Sequence, residues 1–257
     1  MKKVIMLGAH GGRNKGKATT SLLLSESVAI DAGNLLAPLG REARRLNHIF
    51  LSHCHMDHIF DLPFLIEAFF VERTKPINIY GLSHTLDMLK AHIFNGKIWP
   101  NFNDIFLLNS EEHAINFCVI EPNKSYVVDN LRLTPYETVH TVPSVGYLIE
   151  KGARKLIFTA DTCKCENTWK IINATPEIKT LITEVSFPSG MEQLAYKSGH
   201  LTPKLLNEEL SNLKRNDVKV YVCHFKPDFV DLLYAEMQHF ERTKLVKFLD
   251  DETEIEI

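Results

Sequence analysis

One stretch near residue 50 constrains this chain more than any other, because it places four potential metal-binding side chains within six positions. Residues 51–58 have the sequence LSHCHMDH and follow the short apolar run HIF. Imidazole and carboxylate groups are preferred ligands of zinc and similar first-row metals. In an extended chain, His53, His55 and Asp57 project to one side, and His58 lies where the chain must turn. The sequence therefore predicts a metal site directly after a buried strand.

Length and composition are those of a folded protein with a substantial core. The 257 residues are 45% apolar and 24% charged, which is ordinary for a globular chain. We expect one domain covering residues 1–257, since no linker or repeat is evident. The net charge of −3 provides no broad cationic surface, so a nucleic-acid substrate is disfavoured.

The cysteines and the apolar segments predict where the protein is found. An odd count of five cysteines, with no evident disulfide framework, favours reduced thiols in the cytoplasm, although Cys163-Lys-Cys165 can also be interpreted as a redox or metal pair. The basic start has too short an apolar run for a signal peptide, and no stretch approaches the roughly 20 apolar residues of a membrane span. We expect no membrane association, and a homodimer as the commonest assembly.

Residues 11–17 come close to the sequence motif of a phosphate-binding P-loop, but two requirements of that motif are not met. Ala18 stands where Ser or Thr should hold magnesium, and residues 19–24 continue as a strand instead of a helix. We therefore reject a nucleoside triphosphate site. The glycines are expected to form a tight loop close to the main site, and the role of His10 there is left open between the site and the scaffold.

Further apolar strands also end in side chains that can bind metals or protons. Predicted strands at residues 131–139, 155–160, 180–183 and 218–223 are followed by His140, Asp161, Glu184 and His224. Strands packed side by side bring such ends to one rim of a rigid scaffold. The resulting ligand count is complete for two metals: His53, His55 and His140 for one; Asp57, His58 and His224 for the other; and Asp161 as a bridge. Two metals about 3.5–4 Å apart suit displacement at phosphorus, with a water between them becoming hydroxide near neutral pH.

This motif, with its distant partners, resembles the metallo-β-lactamase superfamily. The resemblance covers nearly the whole chain and implies an α/β fold, an αββα four-layer sandwich with the metal site at one edge of the two packed sheets. It does not fix the substrate, because lactonases, thiolesterases, nucleases and phosphodiesterases share the motif.

A second site element precedes a predicted helix. Thr202 is a good N-cap and Pro203 suits the first helical position, so His200 is expected beside a helix start, where anions are favoured. Glu184 could hold His200 protonated, as the acid for a departing alkoxide. The alternative is that His200 only packs before the helix.

Five segments, at residues 79–83, 92–102, 184–188, 199–203 and 221–227, resemble the class II cyclic-nucleotide phosphodiesterases. That resemblance implies hydrolysis of a 3′,5′-cyclic nucleotide (cyclic AMP or cyclic GMP) to the 5′-monophosphate, and it supports a catalytic or phosphate-binding role for His200. It carries over the seven metal ligands counted above. One departure is Met56, where leucine is usual, a change that conserves volume. The others are Ala160, where glycine is common, and the Cys163-Lys-Cys165 loop, where a Gly-rich or small loop is typical; these bear on loop shape and so on substrate fit.

The predicted mechanism has a bridging hydroxide attacking phosphorus while His200 protonates the leaving 3′-oxygen, with Asp57 and Glu184 as the other catalytic residues. Zinc suits the His-rich ligands best, and manganese or iron tolerate them. The alternatives are a tRNA 3′-processing nuclease, acyl hydrolysis of a lactone or thioester, and a purely structural metal site. The nuclease is disfavoured because no basic arm is evident, and the structural site because such sites are ligand-saturated.

Overall fold

The computed structural model describes residues 3–108 and 110–256. The chain divides into two compact units, which are described separately: unit 1 comprises residues 3–8, 18–121 and 252–256, and unit 2 comprises residues 9–17 and 122–251. Met1 and Lys2, which belong to the basic start considered above, lie outside the described residues. Across the described parts of the chain, the helices are all too short or too polar to cross a membrane.

Fourteen strands and eight α-helices are assigned within those residues. The strands are β1 (Lys3–Gly8), β2 (Ser21–Leu23), β3 (Val28–Ile30), β4 (His48–Phe50), β5 (Ile77–Gly81), β6 (Ile115–Val119), β7 (Tyr126–Val128), β8 (Leu131–Glu137), β9 (Val145–Lys151), β10 (Arg154–Phe158), β11 (Ile178–Glu184), β12 (Lys219–Cys223), β13 (Lys247–Phe248) and β14 (Thr253–Glu256). The helices are α1 (Leu36–Leu39), α2 (Met56–Ile59), α3 (Leu62–Phe69), α4 (Ser83–His92), α5 (Glu166–Ala174), α6 (Glu192–Ser198), α7 (Pro203–Glu209) and α8 (Val230–His239). Short 3₁₀ helices cover Gly40–Arg45, Ser189–Met191, Leu210–Asn212, Pro227–Phe229 and Thr243–Leu245.

Unit 1 contains a seven-stranded mixed sheet with the order β14-β1-β2-β3-β4-β5-β6. The pairings from β14 to β3 are antiparallel, and those from β3 to β6 are parallel. Strands β2 and β3 form an antiparallel hairpin. Helices α3 and α4 pack on this sheet through buried apolar residues such as Leu65, Ile66 and Leu86. The unit thereby has an apolar core of its own.

Unit 2 contains a second seven-stranded mixed sheet, with the order β13-β12-β11-β10-β9-β8-β7. Strands β10 to β13 are parallel, whereas β7 to β10 alternate in direction. Since β8 and β10 are both antiparallel to β9, the strands β8, β10, β11 and β12 all run the same way. Their carboxyl ends therefore share one edge, and the prediction that these four strands deliver side chains to one rim is confirmed. Helices α5, α7 and α8 cover the sheet with residues such as Trp169, Leu206 and Leu233.

The prediction of an extended chain through the metal motif is wrong from Met56 onward. His55 is the last extended residue, and α2 begins at Met56. The His58 N–H bonds the carbonyl of His55 at 3.0 Å, and the His58 carbonyl accepts from Ala32 N at 2.7 Å. Consecutive helical side chains differ in direction by about 100°, so Asp57 and His58 are aimed by the helix and not by strand alternation.

Gly33 packs against α2 so closely that a side chain has no room there. A Cβ on Gly33 would lie 2.1 Å from the carbonyl oxygen of Asp57 and 2.7 Å from that of Thr20. Both neighbours are backbone atoms, which cannot rotate away. Glycine at this position therefore fixes where the metal motif lies on the sheet of unit 1.

We expect Gly33→Ala to lower the free energy of unfolding by about 1–3 kcal/mol, the usual cost of overpacking. Urea unfolding measures this, with Gly190→Ala as control, since a Cβ on Gly190 meets nothing within 4 Å. The control should stay within about 0.5 kcal/mol of wild type. A Gly33→Ala protein as stable as the control would show that α2 can shift freely.

Candidate metal centre

In unit 1, three histidine rings lie together after β4. The ring centroid of His53 is 4.6 Å from that of His55 and 4.2 Å from that of His58. His53 and His58 are fully buried, and His55 is partly exposed. Asp57 precedes His58 in the first turn of α2. The structure thus brings the three predicted histidines of this motif together, with Asp57 adjacent in sequence.

A buried carboxylate orients two of these rings. Asp31, which has no exposed surface, accepts from the Ser52 N–H and hydroxyl at 2.8 Å each and contacts His58 Nδ1 at 2.8 Å. Because the Ser52 hydroxyl gives its proton to Asp31, its oxygen accepts from His53 Nδ1, which lies 3.0 Å away. Both rings therefore carry a proton on Nδ1, and Nε2 is left as the ligand atom.

Asp31 is a functional residue that the sequence-based prediction did not include. It follows β3 with a φ of 59°, a left-handed conformation that Asp tolerates better than most residues. Its signal was present in the sequence, since VAI followed by Asp is another apolar strand that ends in a carboxylate. Ser52 carried no comparable signal, because a serine after a strand is common in turns.

In unit 2, Asp161 faces two imidazole rings. Its oxygens lie 3.2 Å from His224 Nε2 and 3.8 Å from His140 Nε2, and all three side chains are at most 2% exposed. His140 Nδ1 donates to the carbonyl of Gly199 at 3.0 Å. Burial lowers the pKa of His140 below its ordinary value despite the nearby Asp161, so the ring is neutral. A neutral ring with its proton on Nδ1 presents an Nε2 lone pair to the carboxylate.

His224 is oriented in the same way through a serine. Its Nδ1 lies 2.9 Å from the Ser186 hydroxyl, which donates to Glu184 Oε2 at 2.9 Å. The ring therefore donates from Nδ1, and Nε2 is again the atom facing Asp161. Gly11 packs against this ring so tightly that a Cβ there would lie 2.5 Å from His224 Cε1, as expected for a glycine loop near the main site.

Glu184 also holds His200, as predicted. The two side chains are joined by a 2.7 Å contact between His200 Nδ1 and Glu184 Oε1. The His200 ring lies 5.1 Å from that of His140 and stacks on that of His224 at 5.2 Å. Burial lowers the pKa of His200, but the charge and hydrogen bond of Glu184 outweigh it, and the net pKa is raised. His200 is thus an imidazole with a raised pKa beside two candidate ligands.

Glu184 is saturated as an acceptor and is therefore a poor metal ligand itself. Besides Ser186 and His200, it accepts from the N–H groups of Thr162 at 3.1 Å and Leu201 at 3.4 Å. The predicted helix start after His200 is present, with Thr202 Oγ1 accepting from Leu205 N at 3.2 Å. The helix has only seven residues, so we assign no anion site to its N-terminus.

The donor set fits divalent metal ions. Lone pairs on imidazole nitrogens that point at a carboxylate oxygen repel it unless a cation lies among them, as between His224 and Asp161 in unit 2. The cysteines are not part of these sets: all five are reduced thiols, and burial raises the pKa of the Cys163 thiol, which keeps it protonated.

Comparison with known proteins shows which family the chain resembles. Residues 27–225 match the family model described as the beta-lactamase superfamily domain. A probable 3′,5′-cyclic-nucleotide phosphodiesterase of Yersinia pestis is 26% identical over 88% of this chain and 79% of its own length. Ribonuclease Z of Methanococcus maripaludis is 34% identical, but over 42% of this chain and 32% of its own length.

Two solved structures extend the likeness to the whole fold. Unliganded yeast PDE1 has a TM-score of 0.80 at 20% identity and covers 98% of this chain and 99% of its own. The metallo-β-lactamase fold protein YhfI of Bacillus subtilis has a TM-score of 0.74 at 21% identity, with 99% of both chains covered. The chain therefore has the metallo-β-lactamase fold, an α/β sandwich, as predicted. It belongs to the beta-lactamase superfamily domain family and is a hydrolase of that fold.

Asp31 should control metal affinity although it touches no metal itself. Asp31→Asn keeps the shape of the side chain but weakens its hold on His58, so we expect metal affinity to fall by about 10–100-fold. Competition with a chromogenic chelator measures the affinity, and Asp87→Asn, an exposed acid in α4, is the matched control. Equal affinities of both variants at an unchanged melting temperature would contradict an orienting role for Asp31.

Proposed function

We propose that the two ligand groups bind the same pair of divalent ions within a single domain covering residues 1–257. The family model supports this, because residues 27–225 contain every predicted ligand of both units. The proposed ligands are His53, His55, Asp57, His58, His140, Asp161 and His224, with Asp161 shared. Zinc suits them best, and manganese and iron tolerate them. Such ions, when bound, would acidify a water and screen the charge of a phosphate.

We propose that the reaction is hydrolysis of a 3′,5′-cyclic nucleotide to the 5′-monophosphate. The observation that carries this is the Glu184–His200 pair, a proton donor held 2.7 Å from its carboxylate and packed on two proposed ligands. The raised pKa keeps a proton on the ring, since Nδ1 is held by Glu184 and Nε2 faces away from it. His200 Nε2 then protonates the departing 3′-oxygen, a poor leaving group without that proton.

Sequence similarity favours a cyclic nucleotide over RNA. The phosphodiesterase relative aligns with 88% of the chain, whereas ribonuclease Z of Sulfolobus acidocaldarius aligns with 77% at 25% identity and that of Methanococcus maripaludis with 42%. Processing of tRNA 3′ ends is nevertheless a second candidate, because that shorter match has the higher identity. The net charge of −3 opposes it, since tRNA binding draws on many cationic contacts. A cytoplasmic location and a homodimer remain expectations from the sequence.

A substrate panel distinguishes these candidates. We expect metal-loaded protein to hydrolyse cyclic AMP or cyclic GMP with a kcat/KM at least about tenfold above that for precursor tRNA or a lactone. Release of 5′-monophosphate, measured by chromatography with zinc, manganese or iron, is the readout. Cleavage of precursor tRNA alone would replace the proposed substrate, and turnover of the lactone alone would replace the reaction class.

His200 should matter most for substrates with a poor leaving group. We expect His200→Ala to slow cyclic-nucleotide hydrolysis by about 10²–10⁴-fold, with metal content unchanged. Hydrolysis of bis(p-nitrophenyl) phosphate should fall much less, because p-nitrophenolate leaves without a proton. His239→Ala, an exposed histidine at the end of α8, is the control. Equal losses on both substrates would assign His200 to packing or ligand positioning instead of proton donation.

A further inference from the structure

A third group of ligand-type side chains lies in unit 2 and shares no residue with the metal ligands proposed above. It consists of His10, in the loop after β1, and Asp250 and Asp251, in the turn before β14. His10 is fully buried, although its loop also contains several exposed residues. The sequence left the role of this histidine open between the main site and the scaffold.

Asp251 fixes the protonation of the His10 ring. Its Oδ1 lies 3.0 Å from His10 Nδ1 and accepts from the Ala9 N–H at 2.8 Å. The carboxylate accepts a hydrogen bond from Nδ1–H, and the tautomer with its proton on Nδ1 has its lone pair on Nε2. The same arrangement orients most histidines that bind metals in proteins.

The Nε2 atom points at a second carboxylate without a hydrogen bond. It lies 3.8 Å from Asp250 Oδ1, and it is a buried atom with no hydrogen-bond partner among the described residues. That distance is too long for a hydrogen bond, and two acceptors that face each other repel. Two metal–ligand bonds of about 2.0–2.2 Å, meeting at a bent angle, span such a gap.

Asp250 is suited to be the second ligand. Burial raises the pKa of the Asp250 carboxyl group. The hydrogen bond from the Asp251 N–H and the charge of Lys17 lower it by a larger amount, so the net pKa is below the ordinary value. Lys17 Nζ lies 3.3 Å from Asp250 Oδ1, and its side chain is 27% exposed. The ammonium group thus supplies one positive charge to the carboxylate, from a flexible chain that can swing into solvent.

We propose that His10 Nε2 and the Asp250 carboxylate bind a divalent first-row cation such as Zn²⁺, with Asp251 orienting the ring and Lys17 moving aside. On binding, the metal ion replaces the Lys17 ammonium group as the cation beside the Asp250 carboxylate. The site lies close to one proposed ligand of the metal centre. Gly11, the residue after His10, packs on the ring of His224. It does not depend on which substrate the enzyme hydrolyses.

Metal stoichiometry tests the proposal without an activity assay. Metal-free protein is dialysed against buffered Zn²⁺, and bound zinc per chain is measured by mass spectrometry. Asp250→Asn should bind one equivalent fewer than wild type. Asp251→Asn, which keeps an oxygen for Ala9, should weaken that equivalent by about 10–100-fold. Lys17→Met should tighten it, because the competing ammonium group is gone.

Asp228→Asn, an exposed acid in the 3₁₀ helix after β12, is the control and should retain the wild-type stoichiometry. His58→Asn separates this site from the proposed centre, since it should lose metal elsewhere and keep the equivalent that depends on Asp250. Identical stoichiometry and affinity in wild type, Asp250→Asn and Lys17→Met would overturn the proposal and leave His10 as a scaffold residue bonded to Asp251.

Discussion

Two buried carboxylates, Asp31 in unit 1 and Glu184 in unit 2, orient the histidines on which the chemistry depends. Each contacts one imidazole ring directly and a second through a serine hydroxyl. The direct partners are His58 and His200, and the serine-linked pairs are Ser52–His53 and Ser186–His224. Because a buried carboxylate must be satisfied by donors, folding itself forces each Nδ1 proton inward and turns each Nε2 outward. The rings are therefore set for ligation or proton transfer before any metal arrives.

The topology of the two sheets explains why a carboxylate linked to a histidine through a serine occurs twice. Read from β14 in unit 1 and from β7 in unit 2, both sheets have three antiparallel pairings followed by three parallel ones. The two serines follow β4 and β11, which occupy the same position in the two orders. The carboxylates differ: Asp31 comes from the neighbouring strand β3, whereas Glu184 ends β11 itself. No sequence repeat accompanies this, since a shared strand order requires only a similar apolar pattern.

Much of this arrangement could be predicted from apolar runs and the residues that end them. The strands before His140, Asp161 and His224, and the helix capped by Thr202, follow from such local signals. The helix at Asp57 could not, because four residues carry little propensity and tertiary hydrogen bonds decide the turn. Strands β6 and β9 were overlooked, since INFCV and VGYLIEK lack clear alternation. The serine links required the three-dimensional pairing of residues that are far apart in sequence.

Unit 2 contains two His–Asp pairs that are suited to bind a metal ion, and they differ mainly in their exposure to water. His224 Nε2 faces Asp161 at 3.2 Å with both side chains at most 2% exposed, whereas the Asp250 side chain opposite His10 is 60% exposed and already neighbours Lys17. In the buried pair, repulsion is poorly screened, so a proton or a metal ion stabilises the fold strongly. In the exposed pair, water and an ammonium group already screen the carboxylate, and a cation gains less by binding. The buried ligands should therefore fill at lower free metal concentration, and the His10 site only as that concentration rises.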